Sequence, residues 1–461
     1  LMTTAAFASL SLAPALLQSL ESLGYTEMTA IQQQSLPAML SGKDILAKAK
    51  TGSGKTAAFS LALLSKVDPL IYKPQVLVLC PTRELAEQVS KEIRALARFI
   101  PNIKLLTLCG GVPIIHQLTS LEQAPHIVVG TPGRVLDHLT RDTLYVDFLR
   151  VLVLDEADRM LDMGFEEDIH KIVKKTPPKR QSLLFSATYP DSIQSISQRI
   201  LQSPVVVSVE SEHDHNHIEQ HFIEVSNADK PQAVMKLLAH YRPESTVIFC
   251  NTKADCNEVY QQLTAKGFYV LALHGDLEQR DREQVLLRFA NKSCPILVAT
   301  DVAARGLDIK ELAAVINYEL AFDPEIHVHR IGRTGRAGNK GLAFSLCAPR
   351  EAPRIVAIEA YQKISVKWDD ISAFPVPVVA SLKPLMVTLC IEGGRKDKVR
   401  PTDILGALTG EGGIAGSEVG KIDVFDMRTY VAISVNSSHK ALKRLQAGQI
   451  KGRRFRVSRL G

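Results

Sequence analysis

Residues 49–56, AKTGSGKT, combine two glycines, a lysine and a hydroxyl at a spacing suited to holding a phosphate. Gly52 and Gly54 let the backbone curl so that several N–H groups face one anion. Lys55 adds positive charge at the terminal phosphates, and the Thr56 hydroxyl can ligate Mg²⁺. A helix starting there offers its N-terminal dipole to the same anion. The stretch departs from the usual phosphate loop in Ala49, which stands where a first glycine is common. Further on, VLVLDEAD (151–158) runs an apolar segment into acids. Asp155 at its end can hold Mg²⁺ through water, and Glu156 can polarise an attacking water. Four common residues alone carry little weight; following a phosphate loop in the same block, they form a nucleotide-hydrolase signature. Phosphoryl transfer needs one more charge at the transition state. HRIGRTGRAG (329–338) offers Arg330, Arg333 and Arg336. Arginines three apart, broken by glycines, either face a ligand along one loop or lie on a solvated surface. With a phosphate loop elsewhere in the chain, the first reading predicts an arginine finger and hydrolysis that depends on domain closure.

These residues need a scaffold. QVLVLCPTRE (75–84), HIVVGTPGR (126–134), RVLVLDEAD (150–158) and QSLLFSATYP (181–190) each run from a short apolar segment into a polar loop. Such continuous runs indicate strands buried on both faces, and their alternation with helices predicts a doubly wound parallel sheet. Ligands in such sheets lie beyond the carboxyl ends of the strands, where the polar residues stand. STVIFCNTK (245–253), FYVLALHGD (268–276), CPILVATDVAARG (294–306) and AAVINYEL (313–320) repeat the theme. The reading is two similar α/β domains, 1–208 and 209–371, with the polar seam SVESEHDHNHIEQ (208–220) between them. A proline-bearing linker, 372–383, leads to a third domain, 384–461, whose order is βαββαβ, the split βαβ plait.

Composition sets limits. The apolar fraction is 46% and the charged fraction 23%, ordinary values for a globular protein. No apolar run reaches the ~18 residues that would cross a bilayer, and no secretory signal is expected, so the sequence predicts a cytoplasmic protein with no membrane partner. The seven cysteines form no CxxC pair and predict free thiols rather than a zinc site. From Lys383 onward there are 15 Lys+Arg against 7 Asp+Glu, while the preceding residues hold 40 against 42. A small basic module of this kind indicates either a polyanionic partner or a charge-rich surface that aids solubility.

The ordered motifs resemble those of the DEAD-box RNA helicases of superfamily two, over residues 7 to about 345. GYTEMTAIQ (24–32) resembles the Q motif, with Phe7 as its upstream aromatic and Met28 in place of the usual proline. The resemblance implies two tandem RecA-like domains. It makes Gln32 the reader of the adenine edge and Tyr25 its stacking partner, with Gly52, Ser53, Gly54, Lys55 and Thr56 around the phosphates of ATP. Asp308 would contact the ribose, and Arg333 and Arg336 the terminal phosphate. Pro81, Thr82, Arg83, Gly110, Gly111, Thr131, Pro132, Gly133 and Arg134 resemble the RNA-backbone contacts of the first domain, and Arg282 and Thr300 those of the second. Ser186 and Thr188, in SAT, resemble the motif that couples hydrolysis to strand separation. Hydroxyls, glycine amides and arginines suit phosphate oxygens and 2′-hydroxyls, which carry no base information. The core is therefore expected to bind RNA without regard to sequence.

The tail's order resembles an RNA-recognition motif with most of its aromatics missing: Cys390 stands at the first stacking position and only Tyr430 remains near the second. Binding is expected to rest on Arg395, Lys396, Lys398 and Arg400 in the first loop and on Lys451, Arg453, Arg454, Arg456 and Arg459 at the end. Together with TLCIEGGRKDKVRPTDILGALTG, the core resembles the bacterial DbpA helicases. That resemblance implies an ATP- and Mg²⁺-dependent enzyme directed to a 23S rRNA hairpin near the peptidyl-transferase centre, acting on large-subunit precursor particles, with no obligate protein partner. An ATP-gated RNA clamp without strand separation, a general RNA helicase and a DNA translocase are the alternatives. Two further features are read as incidental. The histidines 213, 215, 217 and 221 are expected to form a polar linker rather than a metal site. The KALKRL helix (440–445) is either a basic binding face or a plain amphipathic surface.

Overall fold

The computed structural model describes residues 6–49, 52–189, 191–209, 218–304, 312–335, 340–374 and 382–460. Among these residues the chain forms two compact units. The first contains a seven-stranded parallel sheet. The second contains a six-stranded parallel sheet and a four-stranded antiparallel sheet.

In the first unit the strands are β1 (Ile45–Lys48), β2 (Val76–Leu79), β3 (Leu105–Leu108), β4 (Ile127–Gly130), β5 (Val151–Leu154), β6 (Gln181–Ser186) and β7 (Val205–Ser208). Their spatial order is β3-β4-β2-β5-β6-β1-β7. The two-residue period of a strand sorts each apolar run onto two faces. Val76, Val78, Val151 and Val153 join Phe59, Leu61 and Phe185 in one core. Leu77, Leu79, Leu152 and Leu154 join Met160, Ile169 and Ile193 in the other. Both faces are covered, which is why the runs are continuous rather than alternating.

The second unit begins with β8 (Ile218–Glu224), β9 (Thr246–Cys250), β10 (Val270–Leu273), β11 (Ile296–Thr300), β12 (Ala314–Asn317) and β13 (Gly341–Cys347), in the order β10-β11-β9-β12-β13-β8. β8 overlaps the stretch expected to be a polar seam. It is an edge strand whose first residues, IEQ, are only partly covered, so no apolar run announces it. His221 is therefore part of this sheet. Its ring stacks on Phe344 at 5.2 Å, its Nδ1 bonds the Asp369 carboxylate, and its Nε2 lies 3.4 Å from Glu219. His213, His215 and His217 lie outside the described residues. Among the described residues no three His, Cys, Asp or Glu side chains converge as a metal site, and all seven cysteines are buried free thiols.

The four-stranded sheet is built from β14 (Met386–Ile391), β15 (Val419–Val424), β16 (Thr429–Ser434) and β17 (Val457–Arg459), in the order β15-β16-β14-β17, with helices Pro401–Thr409 and Ser438–Ala447 on one face. This is the split βαβ plait that the sequence predicts. The plait also packs onto the six-stranded sheet's domain. Thr388 on β14 is fully buried. Its hydroxyl meets Ser293 Oγ at 2.6 Å and accepts from Asn291 Nδ2 at 3.3 Å, while the Met386 N–H donates to the Lys292 carbonyl.

His327, on helix Pro324–Ile331, is fully buried, with no hydrogen-bond partner at either ring nitrogen among the described residues. Burial, assisted by Arg330, pushes its pKa down from 6.5 to about 3. Below its ordinary pKa the unfolded chain takes up a proton that the folded unit refuses. Stability that is present above pH 6.5 is therefore lost on acidification, by about 2 kcal/mol between roughly pH 7 and 5. His327→Phe is expected to flatten that loss. Urea unfolding at the two pH values, followed through the chain's one tryptophan, Trp368, would test it. An equally steep pH dependence in the variant would exclude His327 as the cause.

Candidate active site and nucleic-acid interface

The phosphate loop closes β1 and opens helix Lys55–Leu64. Gly52 and Gly54 have φ of +87° and +92°, in the region that favours glycine. Gly54 has a second constraint: a Cβ there would lie 2.7 Å from Gln32 Nε2 and 2.9 Å from Thr29 Oγ1. Gln32 is itself buried. Its Oε1 accepts from the Thr29 N–H at 2.8 Å and its Nε2 donates to the Gly54 carbonyl at 3.0 Å. The glutamine thus caps its own helix and clamps the loop at once. Tyr25 is partly exposed nearby in sequence, and burial together with Glu92 raises its pKa. Phe7 is buried in the first core.

Lys55 Nζ lies 3.4 Å from Asp155 Oδ1, and both side chains are almost fully buried. Burial pushes the ammonium toward its neutral form, but Asp155, Glu156 and Asp158 outweigh that and hold it charged. Beyond this mutual contact, neither Asp155 oxygen nor Lys55 Nζ has a hydrogen-bond partner among the described residues. Buried polar atoms are rarely left so, and these three point to ligands the chain does not supply. A carboxylate with the Thr56 hydroxyl is a hard-oxygen set that fits Mg²⁺ completed by phosphate oxygens and water.

Glu156 follows with φ +55° and ψ +52°, a left-handed conformation uncommon for a residue with a side chain. Arg159 Nη1 holds its carboxylate at 2.6 Å. Asp158 plays a part the sequence reading missed. Its Oδ2 accepts from the amides of Ala187 and Thr188 at 3.0 and 2.9 Å. Burial raises its pKa, yet the Thr188 amide and Lys55 more than offset this and leave it below the usual carboxylate range. The acidic segment is thereby tied to residues 186–188. Its signal was the fourth residue of the DEAD tetrapeptide, which was given no role.

The first unit's other candidate residues stand on different strands. Pro81, Thr82 and Arg83 follow β2, Gly110 and Gly111 follow β3, and Thr131, Pro132, Gly133 and Arg134 follow β4. The order β3-β4-β2 makes these loops neighbours at one side of the sheet, while the candidate nucleotide residues stand at β1 and β5 and the candidate coupling residues at β6. Arg134 is committed to the loop itself. Its guanidinium donates to the Val112 carbonyl at 3.1 Å and to Gln117 Oε1 at 3.0 Å. Gln117 in turn donates to the Cys109 carbonyl and accepts from His138. Thr82 Oγ1 accepts from the Leu85 N–H and caps the next helix.

In the second unit, Thr300 ends β11 and Arg282 Nη2 donates to the Ala303 carbonyl at 2.6 Å. Asp308 and Arg336 lie outside the described residues. Arg330 departs from the expectation that all three arginines face a ligand. It is fully buried, bonding Asp301 through both carboxylate oxygens at 2.7 and 2.6 Å, the Asn251 amide oxygen at 2.8 Å and the Glu319 carbonyl at 2.7 Å. The helix ends at Ile331, so Arg330 points into the domain and Arg333 stands beyond the turn at Gly332.

In the plait, the two basic stretches meet. Lys451 Nζ donates to the Lys398 carbonyl at 3.1 Å, and the Glu392 N–H donates to the Arg456 carbonyl at 2.9 Å. Arg395, Lys396, Lys398, Arg400, Lys451, Arg453, Arg454, Arg456 and Arg459 are all exposed. One side of the KALKRL helix is structural: Ala441 and Leu445 are buried, and Arg444 donates to the Ala407 and Glu411 carbonyls, holding the end of the first helix, while Lys440 and Lys443 are exposed.

Comparison with known proteins adds an independent line. The family described as DEAD/DEAH box helicase matches residues 29–196, the helicase conserved C-terminal domain matches 229–338, and the DbpA RNA binding domain matches 388–459. The chain is 54% identical to the ATP-dependent RNA helicase DbpA of Escherichia coli, over 98% of this chain and 99% of that one. It is 38% identical to the ATP-dependent RNA helicase DbpA of Bacillus subtilis, over 96% and 97%. Among solved structures, Saccharomyces cerevisiae Dbp5 bound to RNA and ADP BeF3 is similar, with TM-score 0.72 and 32% identity over 79% of this chain and 96% of that one.

Proposed function

Because this chain belongs to the DEAD-box ATP-dependent RNA helicases of the DbpA group, we propose that it separates short duplexes of 23S rRNA during large-subunit assembly. It is an RNA-dependent ATPase with an RNA-binding carboxy-terminal domain. The finer reading is that this domain grips a hairpin near the peptidyl-transferase centre of precursor particles in the cytoplasm. The observation that carries it is the joining of two basic stretches at the Lys451–Lys398 contact, between residues 53 positions apart in the chain. Nine exposed cations in two joined stretches of one small domain suit a folded polyanion better than a solubility role would require.

In the proposed cycle Gln32 and Tyr25 receive the adenine, the N–H groups of residues 52–56 surround the phosphates, and Lys55 neutralises them. Asp155 and Thr56 would hold Mg²⁺, which when bound adds positive charge against the phosphate oxygens. Glu156 orients the attacking water and draws its proton. Arg333 and Arg336 are the proposed source of further charge at the terminal phosphate, and Asp308 the proposed ribose contact. Asp158 keeps residues 186–188 in register with the acids, so a change on hydrolysis is passed toward Ser186 and Thr188. Thr82, Gly110, Gly111, Thr131, Thr300 and Arg282 contact the RNA backbone, positioned by neighbours such as Arg134.

ATP turnover stimulated by a 23S rRNA fragment carrying the hairpin should be compared with that by an unrelated RNA of equal length. The full chain and one truncated after residue 382 would be assayed at fixed salt. A strong preference in the full chain that vanishes on truncation is expected. Equal stimulation by both RNAs of the full and the truncated chain would leave a general helicase. A parallel duplex-release assay separates a helicase from a clamp.

A further inference from the structure

The sheet of the carboxy-terminal domain has one face against its two helices and one face turned away. Val387, Leu389, Ile391, Val431, Ile433 and Val457 fill the helix side. Alternation then turns Thr388, Cys390, Tyr430, Ala432 and Ser458 to the other. At one end of that face Thr388 and Ala432 are fully buried, with Thr388 held by Asn291 and Ser293 of the preceding domain. No base can stack there.

The other end differs. Cys390 sits between Tyr430 and Ser458 in register, and Ser458 is exposed. Beside Tyr430 the hairpin joining β15 and β16 brings in a second ring. Phe425 lies edge-on to Tyr430, with centroids 5.7 Å apart and planes at 81°. It remains 45% exposed, and Met427 next to it is 60% exposed. An exposed phenylalanine by itself means little, but this one is fixed. Its N–H donates to the Arg428 carbonyl at 2.8 Å, and its own carbonyl accepts from the Arg395 N–H at 2.8 Å. The Lys396 N–H donates to the Asp426 carbonyl at 2.9 Å. Gly394 completes the junction, since a Cβ there would lie 2.2 Å from the Phe425 carbonyl oxygen. The aromatic tip and the basic loop are therefore one rigid structure. Arg395, Lys396 and Arg428 flank it, with Asp423 and Asp426 as the acids on the same hairpin and Glu392 across from them. Arg280, on the preceding domain's helix Gln279–Ala290, is close enough for its charge to reach the Cys390 thiol.

We propose that Phe425, backed edge-on by Tyr430, is the base-stacking site of this domain. It takes one unpaired base at the hairpin tip rather than on the centre of the sheet. A ring held open beside several cations matches an unpaired nucleotide, whose base supplies the stacking surface and whose phosphates supply the charge. The site restores what Cys390 removes from the middle of the sheet. The assignment rests on the reading of this domain as the part that directs the helicase to an RNA hairpin.

The test uses the full chain and the 23S rRNA hairpin, with 2-aminopurine placed singly at each loop position. Phe425→Leu is expected to raise Kd about 5- to 150-fold. It should also abolish the quenching at one loop position and leave the slope of log K against log salt unchanged. Phe425→Trp should keep the quenching. Lys396→Ala with Lys398→Ala should instead weaken binding and flatten the salt slope. If the basic variant behaves so while Phe425→Leu keeps wild-type Kd and quenching, the stacking assignment is wrong and the reading of the domain stands. If neither set of changes alters binding, both are wrong.

Discussion

Glu156→Gln is expected to lower RNA-stimulated ATP turnover by about 10²- to 10⁴-fold, while ATP still binds with near wild-type affinity. The carboxylate follows β5 in a left-handed conformation, with Arg159 holding it at 2.6 Å. Glutamine has the same shape and can still accept from Arg159, so the local backbone has no reason to move. What it lacks is the negative charge that orients water and draws its proton. The phosphate contacts proposed for residues 52–56 are untouched, so binding and chemistry should separate. Turnover at saturating RNA would be measured beside equilibrium binding of a fluorescent ATP analogue. Unchanged turnover would remove Glu156 from the chemistry, and lost binding would mean the change disturbed the loop instead.

Arg330→Met is expected to destabilise the second unit by about 3 kcal/mol, the lower end of the range for breaking a buried ion pair, because Asp301 keeps some exposure to water. The guanidinium serves five oxygens: both of Asp301, the amide oxygens of Asn251 and Asn317, and the Glu319 carbonyl. Methionine fills comparable volume but donates nothing, so all five lose this donor together. Urea unfolding followed at Trp368 would show a lower midpoint with an unchanged slope. Wild-type stability with impaired ATP turnover would reverse the assignment and return Arg330 to the ligand.

Arg330 also shows how far spacing can be trusted. Three arginines at intervals of three invite a single role. Whether they share a face depends on where a helix stops, and the turn at Gly332 separates Arg330 from Arg333. The edge strand β8 was hidden for a related reason. A strand covered on one side by a neighbour and open on the other has no need of an apolar run, and its first residues read as linker. His221, grouped by sequence with three nearby histidines, is instead held by a residue far along the chain, Asp369.

The sequence by itself determined the chemistry of the first unit and the layout of the whole. A phosphate loop, an acidic strand end and continuous apolar runs are local patterns. The residues that signal them, such as the glycine that permits backbone curl at Gly54 or the apolar run of β5, are adjacent in the chain. The βαββαβ order of the tail was legible for the same reason. Only the tertiary structure decided which loops become neighbours, because strand order is set by packing rather than succession. The order β3-β4-β2 groups the loops proposed to contact the RNA backbone on one side of the sheet. Folding also brings Lys451 to Lys398, Thr388 to Ser293, and fixes the angle of Phe425 against Tyr430. The first two link residues 53 and 95 positions apart, which no local spacing encodes. The third pairs residues close in sequence, but its geometry comes from the basic loop that anchors the hairpin from outside.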